Sequence, residues 1–246
     1  MAATSGLAHR DADLRELMDD PACDPTRLRR TLERFTVVNR LISGWGGVYR
    51  AHIRPRARAL GRDRPLRVLD IGCGGGDVLR RVASLARADG VEVAATGIDP
   101  DERSLAVARS RPAPGIEYRR AHSADLVADG RTFDVVLSNH VLHHLDGEEL
   151  PALLADSAAL SSGVVLHSDI ARSRTAFAAY AVGITPLAPG SLLRTDGLRS
   201  IRRSWTPDEL AALLPDGWRV ERPAPFRLLA VREASGAPGT PSGVAG

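Results

Sequence analysis

The chain has 246 residues, 43% of them hydrophobic, with regular Gly and Pro punctuation, which suits one α/β domain with extra helices and leaves little room for two. A pI near 9.4 hints at nucleic acid, yet the net charge is only +3 and all 33 basic residues are Arg. Arg without Lys, beside abundant Ala, Gly and Pro, is what a GC-rich genome produces, so a phosphate-tracking surface is discounted.

The densest basic groups, Arg50 to Arg67 and Arg199 to Arg203, have few aromatic neighbours for base stacking and read as solvated faces. Cys23 and Cys73 are too few and too differently placed for a disulfide framework or a zinc cluster. No apolar run reaches membrane-spanning length, and an N-terminus holding Asp11, Asp13, Glu16, Asp19 and Asp20 is no signal peptide. A reducing cytoplasm is the expected setting.

In chain order, Leu28, Leu32, Phe35, Val38, Leu41 and Ile42 recur at helical spacing after Asp24-Pro25, which predicts an amphipathic helix with something to cover. A strand over 66–71 runs into Gly72, Gly74 and Gly76, then a helix over 77–88 closed by Gly90. Strand 91–98, helix 101–110, strand 116–121 and strand 133–138 continue a βαβ series, hence a parallel sheet with helices on both faces. Helix 148–160 leads to strand 163–168. The stretch 171–204, interrupted by Pro186, Pro189 and Gly190, reads as an insertion over the sheet's carboxyl edge that helps form an acceptor pocket. Thr206-Pro207-Asp208-Glu209 is a capping box that starts helix 207–214, and 218–221 with 226–231 form a final antiparallel pair of strands. The Gly/Pro/Ser/Ala-rich tail, 234–246, is expected to be disordered.

The glycine loop carries the first functional argument. Its spacing is G-x-G-x-G where a dinucleotide fingerprint is G-x-G-x-x-G, and Asp70 stands two residues before the first glycine. A carboxylate there repels a diphosphate and favours a cation such as the methionyl ammonium of S-adenosylmethionine. Asp99, at the end of the second strand, is placed to accept hydrogen bonds from ribose hydroxyls, a role that NAD enzymes share.

Val68 to Asp77, Gly97 to Asp101 and Phe133 to Leu145 resemble the successive motifs of class I S-adenosylmethionine-dependent methyltransferases, over roughly residues 66–170. The resemblance implies a Rossmann-like, doubly wound, mostly parallel sheet with an antiparallel last strand. Residues 1–60 become an N-terminal helical lid and 61–233 the S-adenosylmethionine-binding core. The implied cofactor set is Asp70, Gly72, Gly74, Gly76, Asp99, Pro100 and Asn139, with His122 or Ser123 toward the adenine. The family places an acid at that last position; here His122 stands there, with Asp125 three residues on as a further option.

Methyl transfer from a sulfonium is an in-line displacement in which the protein aligns an acceptor lone pair and excludes water. A phenol of pKa ~10 also benefits from a base. Candidates cluster in Ser138-Asn139-His140-Val141-Leu142-His143-His144; a helix beginning at Asn139 would put His140 and His144 on one face with His143 beside them. Some related O-methyltransferases pair a His here with an Asp after the fifth strand, which maps to His143 or His144 with Asp169, leaving His140 and His167 in reserve. His-x-x-His-His lacks the Cys or clustered acids of a metal set, so no metal is expected.

Leu14 to Pro21 and Asp196 to Leu210 resemble segments of actinobacterial methyltransferases of polyketide and quinone metabolism. The leading function is therefore methylation of oxygen or activated carbon on a small aromatic, quinone or polyketide-type acceptor, without nucleic acid or a membrane span. RNA or protein methylation is the enzymatic alternative, but Ser-Asn-His-Val stands where planar-amine enzymes carry an Asn-Pro-Pro-Tyr-like signature. A non-catalytic S-adenosylmethionine-binding partner protein is the third reading.

Overall fold

The computed structural model describes residues 7–61 and 63–234. Short runs, near-continuously buried in the central ones, form the strands Leu66–Ile71 (β1), Val93–Asp99 (β2), Ile116–Arg120 (β3), Phe133–Asn139 (β4), Ser161–Ile170 (β5), Trp218–Glu221 (β6) and Arg227–Glu233 (β7). These pair in the order β3-β2-β1-β4-β5-β7-β6. The first five are parallel; β7 runs antiparallel to both β5 and β6. The antiparallel strand is thus β7 alone, with β6 running in the common direction.

The period of two divides the core into two layers. Leu66 and Val68 of β1, Val135 and Leu137 of β4 and Val164 and Leu166 of β5 face one side. Helices Trp45–Val48, Arg54–Ala59 and Asp77–Ala88 pack there. Leu69, Val136 and Val165 face the other side, with Ser123–Ala128, Glu149–Leu160 and Pro207–Leu213 against them. Among the described residues the α-helices, in chain order, are α1 (Pro25–Ile42), α2 (Trp45–Val48), α3 (Arg54–Ala59), α4 (Asp77–Ala88), α5 (Glu102–Arg109), α6 (Ser123–Ala128), α7 (Glu149–Leu160), α8 (Arg174–Gly183), α9 (Leu193–Arg203) and α10 (Pro207–Leu213).

α1 begins where Asp24 suggests: its carboxylate accepts from the backbone N–H of Thr26 (2.8 Å) and Arg27 (3.1 Å). Leu28 and Leu32 pack on Val107 of α5, and Val38 on Ile184 and Leu193, while Ile42 stays half exposed. The insertion resolves into α8, a single 3-10 turn at Thr185–Leu187 and α9, joined where the Tyr180 hydroxyl donates to the Leu193 carbonyl (2.8 Å).

Residues 7–24 form a strap, largely of turns and bends, over the carboxyl end of the sheet. Asp196 of α9 accepts from the backbone N–H of Leu17 (2.9 Å) and Met18 (3.0 Å). Arg10 donates to the carbonyls of Arg203 (2.7 Å) and Leu145 (2.6 Å) and lies 3.9 Å from the Trp205 ring centre. Of the expected disordered tail, 235–246 lies outside the described residues, and Ala234 is tied by its N–H to the Gly163 carbonyl (2.8 Å). Among the described residues no helix is long and apolar enough to cross a membrane.

Candidate active site

One cavity of about 930 Å³ opens over the carboxyl ends of β1, β2, β4 and β5, within the size usual for small-molecule sites, about 300–1,000 Å³. A more open groove of about 1030 Å³ lies at the opposite strand ends, lined by Arg67, Glu92, Thr96, Glu117 and Arg131. The residues with cofactor and acid–base chemistry line the first.

At one end sits the glycine loop. Gly72 and Gly76 both have positive φ (66° and 72°), and a Cβ on Gly72 would lie 2.6 Å from Val141 Cγ2 while one on Gly76 would strike the Tyr118 ring. Those two glycines therefore make room for protein; Gly72, Gly74 and Gly75 line the cavity, with Leu32 above Gly74, and Gly76 does not. Asp70 is 1% exposed and its Oδ2 has no hydrogen-bond partner. Burial, with Asp77 and Asp99 nearby, holds its pKa well above the usual carboxylate range. An unpartnered buried carboxylate among two others fits an incoming cation and opposes a diphosphate. Asp99 accepts from the N–H of Gly74 (2.9 Å) through Oδ2 and of Asp101 (2.9 Å) through Oδ1, so each oxygen keeps a lone pair for a ribose hydroxyl. These groups fit S-adenosylmethionine. Pro100 and Asn139 also line the cavity.

His122 and Ser123 are not brought to the cavity wall. The segment starts helix α6, which the sequence reading passed over. The Asp125 carboxylate turns back to accept the His122 N–H (2.8 Å), the Ser123 hydroxyl donates to Asp156 (2.6 Å), and the His122 side chain is exposed. The wall next to Asp99 is made by Pro100, Asp101 and Ser104 instead.

The histidine segment does not form the expected helix from Asn139. β4 continues to Asn139, His140 adopts a left-handed φ of 62°, and only Leu142–His144 turns, as a 3-10 helix. The reason lies in β5 and β7. His140 N–H donates to the Ser168 carbonyl (2.9 Å), and buried Arg227 donates to His140 Nε2 (2.9 Å), Asn139 Oδ1 (2.7 Å) and Ser168 Oγ (2.8 Å). The His140 ring consequently stands edge-on to His143, with ring centres 6.0 Å apart, while His143 and His144 stay 4.3 Å apart. Burial, with Arg227 alongside, pushes the His140 pKa down to about 3, so this ring is neutral.

His143, 1% exposed, takes the place beside Asp169. Its backbone N–H donates to Asp169 Oδ2 (2.9 Å) and its Nδ1 bonds Oδ1 (2.8 Å). Its other nitrogen, Nε2, bonds Glu16 Oε1 of the strap (3.1 Å), which also accepts from the Ser200 hydroxyl (2.6 Å). Burial alone would lower the His143 pKa; the charges and hydrogen bonds of Asp169 and Glu16 outweigh it and raise it to about 10. Against their own burial, His143 holds Asp169 and Glu16 below the usual carboxylate range. His144 reaches neither oxygen of Asp169 closely; its Nδ1 lies 3.4 Å from Asp19 and its Nε2 3.8 Å from Glu16. His167 is sealed in the sheet, bonded to Ser138 (2.8 Å) and stacked on Trp218. Two overlapping triads, Glu16, His143 and His144, and His140, His143 and Asp169, gather donor atoms within 4.8 Å, and both depend on His143, whose nitrogens are already engaged.

The cluster predicts a pH profile for stability. Its His143 part is fully present below the ring's ordinary 6.5 and is lost as pH rises through about 10. The carboxylate part, from the lowered Glu16 and Asp169, is present above about 4.5 and lost in acid. Thermal denaturation should therefore show the melting-temperature gap between wild type and His143→Asn widest between about pH 5 and 6.5 and shrinking toward pH 10; a gap that stays constant to pH 10 contradicts the charged ring.

Glu16, Ser200, Asp196 and Arg227 are the participants that sequence reasoning missed. The signal for the first three was present in Leu14 to Pro21 and Asp196 to Leu210, two segments singled out separately that the fold brings together.

The sheet, ordered 3-2-1-4-5-7-6 with β7 alone reversed, carries one acid before the glycine loop and a second acid at the end of β2, both on the cavity wall. Residues 68–161 match the family model described as "Methyltransferase domain". Among curated proteins, the chain is 35% identical over 153 residues to a ubiquinone biosynthesis O-methyltransferase of Dinoroseobacter shibae, covering 61% of this chain and 58% of that one. It is 33% identical over 144 residues to the protein of the same description from Mesorhizobium japonicum (54% and 55% covered). The chain thus spans a little over half the length of these relatives. Among solved structures, the plantazolicin methyltransferase BpumL in complex with a pentazolic desmethylPZN analog and SAH aligns over 94% of this chain and 98% of its own, with TM-score 0.61 at 15% identity. That last likeness is one of fold.

Proposed function

We propose that this protein transfers a methyl group from S-adenosylmethionine to oxygen, or an activated carbon, of a small aromatic, quinone or polyketide-type acceptor. The observation that carries the reading is the single cavity joining the Asp70–Asp99 end to an apolar end that closes on the Glu16–His143–Asp169 chain. When bound, S-adenosylmethionine supplies a methyl group already activated by its sulfonium charge.

The chain's residues do the rest. Asp70 holds the ammonium, Asp99 the ribose hydroxyls, and α1 covers the loop as a lid, with Leu32 lying against Gly75. Phe35, Val38, Ile170, Ile184 and Phe226 present an apolar wall that suits a flat acceptor and excludes water. The carboxylate–imidazole–carboxylate chain is the polar end at which an acceptor hydroxyl can give up its proton. Relatives described as ubiquinone biosynthesis O-methyltransferases support an oxygen on a quinone-type ring. The reading includes no nucleic-acid partner and a cytoplasmic setting, supported by the scarcity of aromatic residues near the arginines and by the two free cysteines.

Calorimetric titration with S-adenosylmethionine, S-adenosylhomocysteine and NAD, followed by a methyl-transfer screen over phenols and hydroxyquinones, tests it. The expected result is micromolar-range binding of the first two, none of NAD, and turnover on part of the panel. Failure to bind S-adenosylmethionine would sink the reading; binding without turnover would favour a partner-protein role.

A further inference from the structure

Resting on that reading, we propose that Glu16, carried in by the N-terminal strap, is the residue that touches the acceptor hydroxyl and takes its proton, with His143 and Asp169 acting behind it as positioning residues. The argument begins with what the histidines cannot do. Both nitrogens of His143 are occupied, Nδ1 by Asp169 (2.8 Å) and Nε2 by Glu16 (3.1 Å), so no lone pair of that ring faces the cavity. His140 spends Nε2 on Arg227 (2.9 Å). His144 points its two nitrogens toward Asp19 (3.4 Å) and Glu16 (3.8 Å).

Glu16 is differently placed. Its Oε1 accepts from His143 and from Ser200 (2.6 Å), which fixes the carboxylate, while its Oε2 has no hydrogen-bond partner among the described residues and is not among the sealed, unpartnered atoms. The residue lines the cavity although it is 5% exposed overall. Asp196 grips the two backbone N–H groups that follow it, so the carboxylate is presented by a clamped segment. The charged and titratable groups around it are His140, His143 and His144, with Asp19 of the strap beside His144, Asp196 on α9 and Tyr180 on α8.

A carboxylate beside an imidazolium is a weak base toward a free phenol, but it need not act on one. As the acceptor oxygen attacks the methyl carbon, the new C–O bond forms, the C–S bond breaks and its electron pair goes to sulfur. The attacking oxygen becomes oxonium-like and strongly acidic, and its proton passes to Glu16 Oε2. Glu16 becomes neutral, while Asp169 still balances the His143 charge. The product is the methyl ether, with S-adenosylhomocysteine and a protonated Glu16 that returns its proton to solvent.

The test compares wild type, Glu16→Gln and Ser200→Ala on two acceptors: a phenol of ordinary acidity and an electron-poor phenol already ionised at the assay pH. For the ordinary phenol, Glu16→Gln should lower kcat about 10²–10³-fold, with KM for S-adenosylmethionine within threefold and Glu16→Asp partly restoring the rate. For the ionised phenol the loss should shrink to less than about tenfold, a dependence that a merely structural role does not produce. Ser200→Ala, which frees Oε1 without changing charge, should show a smaller loss with the same acceptor dependence, and serves if Glu16→Gln does not fold. Equal losses on both acceptors, or full turnover by Glu16→Gln, overturn the role of Glu16 alone. No wild-type turnover on either acceptor, despite cofactor binding, overturns the methyl-transfer reading and this role with it.

Discussion

Replacing Asp70 by Asn should stabilise the ligand-free protein and, in the same stroke, weaken S-adenosylmethionine binding by about 10²-fold or more. The two opposite effects have one cause. Asp70 is 1% exposed, its Oδ2 has no partner, and Asp77 and Asp99 are its acidic neighbours. Its pKa in the folded protein is raised, so the carboxylate costs nothing below the ordinary 3.8 and progressively more as pH climbs toward the raised value. Asn removes that cost. The melting temperature of ligand-free Asp70→Asn should exceed that of wild type at pH 7–8, and the two should converge near pH 4.

Ligand binding inverts the balance, because the methionyl ammonium supplies the counter-charge the carboxylate lacks. Losing one partner of a buried charge pair costs about 3–5 kcal/mol, which is roughly two to three and a half decades in Kd at about 1.4 kcal/mol each. Methylthioadenosine, which has no ammonium, is the control: it should bind wild type and Asp70→Asn alike. If Asp70→Asn held S-adenosylmethionine within threefold of wild type, the ammonium would sit elsewhere.

The parts of this site that could be read from the sequence are those that depend on neighbours in sequence. β1, its glycine turn and α4 follow from a short apolar run, four closely spaced glycines and a helical period within twenty-odd positions. Asp70 and Asp99 fall at strand ends by the same local logic. The course of the histidine turn is not legible locally, because helical spacing is the local signal whereas the Ser168 carbonyl and Arg227, on strands reached much later in the chain, dictate it. His122 and Ser123 lie off the cavity wall for a similar reason: Asp125 accepts the His122 backbone N–H at the start of α6 and Asp156 accepts the Ser123 hydroxyl. Glu16 was beyond local reasoning altogether. It stood among five N-terminal acids with no periodicity, and its meaning comes from His143 and Ser200, 127 and 184 positions away.

Asp169→Asn tests the far end of that chain and should slow methyl transfer about 10²–10⁴-fold while leaving the Kd for S-adenosylmethionine within threefold. The geometry explains why an isosteric change is so costly. Oδ1 accepts from Ile170 N–H (2.7 Å) and faces His143 Nδ1 (2.8 Å); Oδ2 accepts the His143 backbone N–H (2.9 Å). An Asn amide placed at either position turns an N–H toward a backbone N–H, so the turn that sets the ring is disturbed in both orientations. Electrostatically the loss is larger. With Asp169 ionised, His143 can remain charged even after Glu16 has taken a proton; with Asn, a neutral Glu16 would leave a buried imidazolium without any counter-charge, so Glu16 must stay ionised and cannot serve as base. Asp70 and Asp99 make no contact with this chain, which is why cofactor affinity should be spared. Kinetics well below the variant's melting temperature separate lost chemistry from lost folding. Turnover by Asp169→Asn within threefold of wild type, with the fold intact, would remove the chain from the mechanism and leave alignment of the acceptor as the protein's whole contribution.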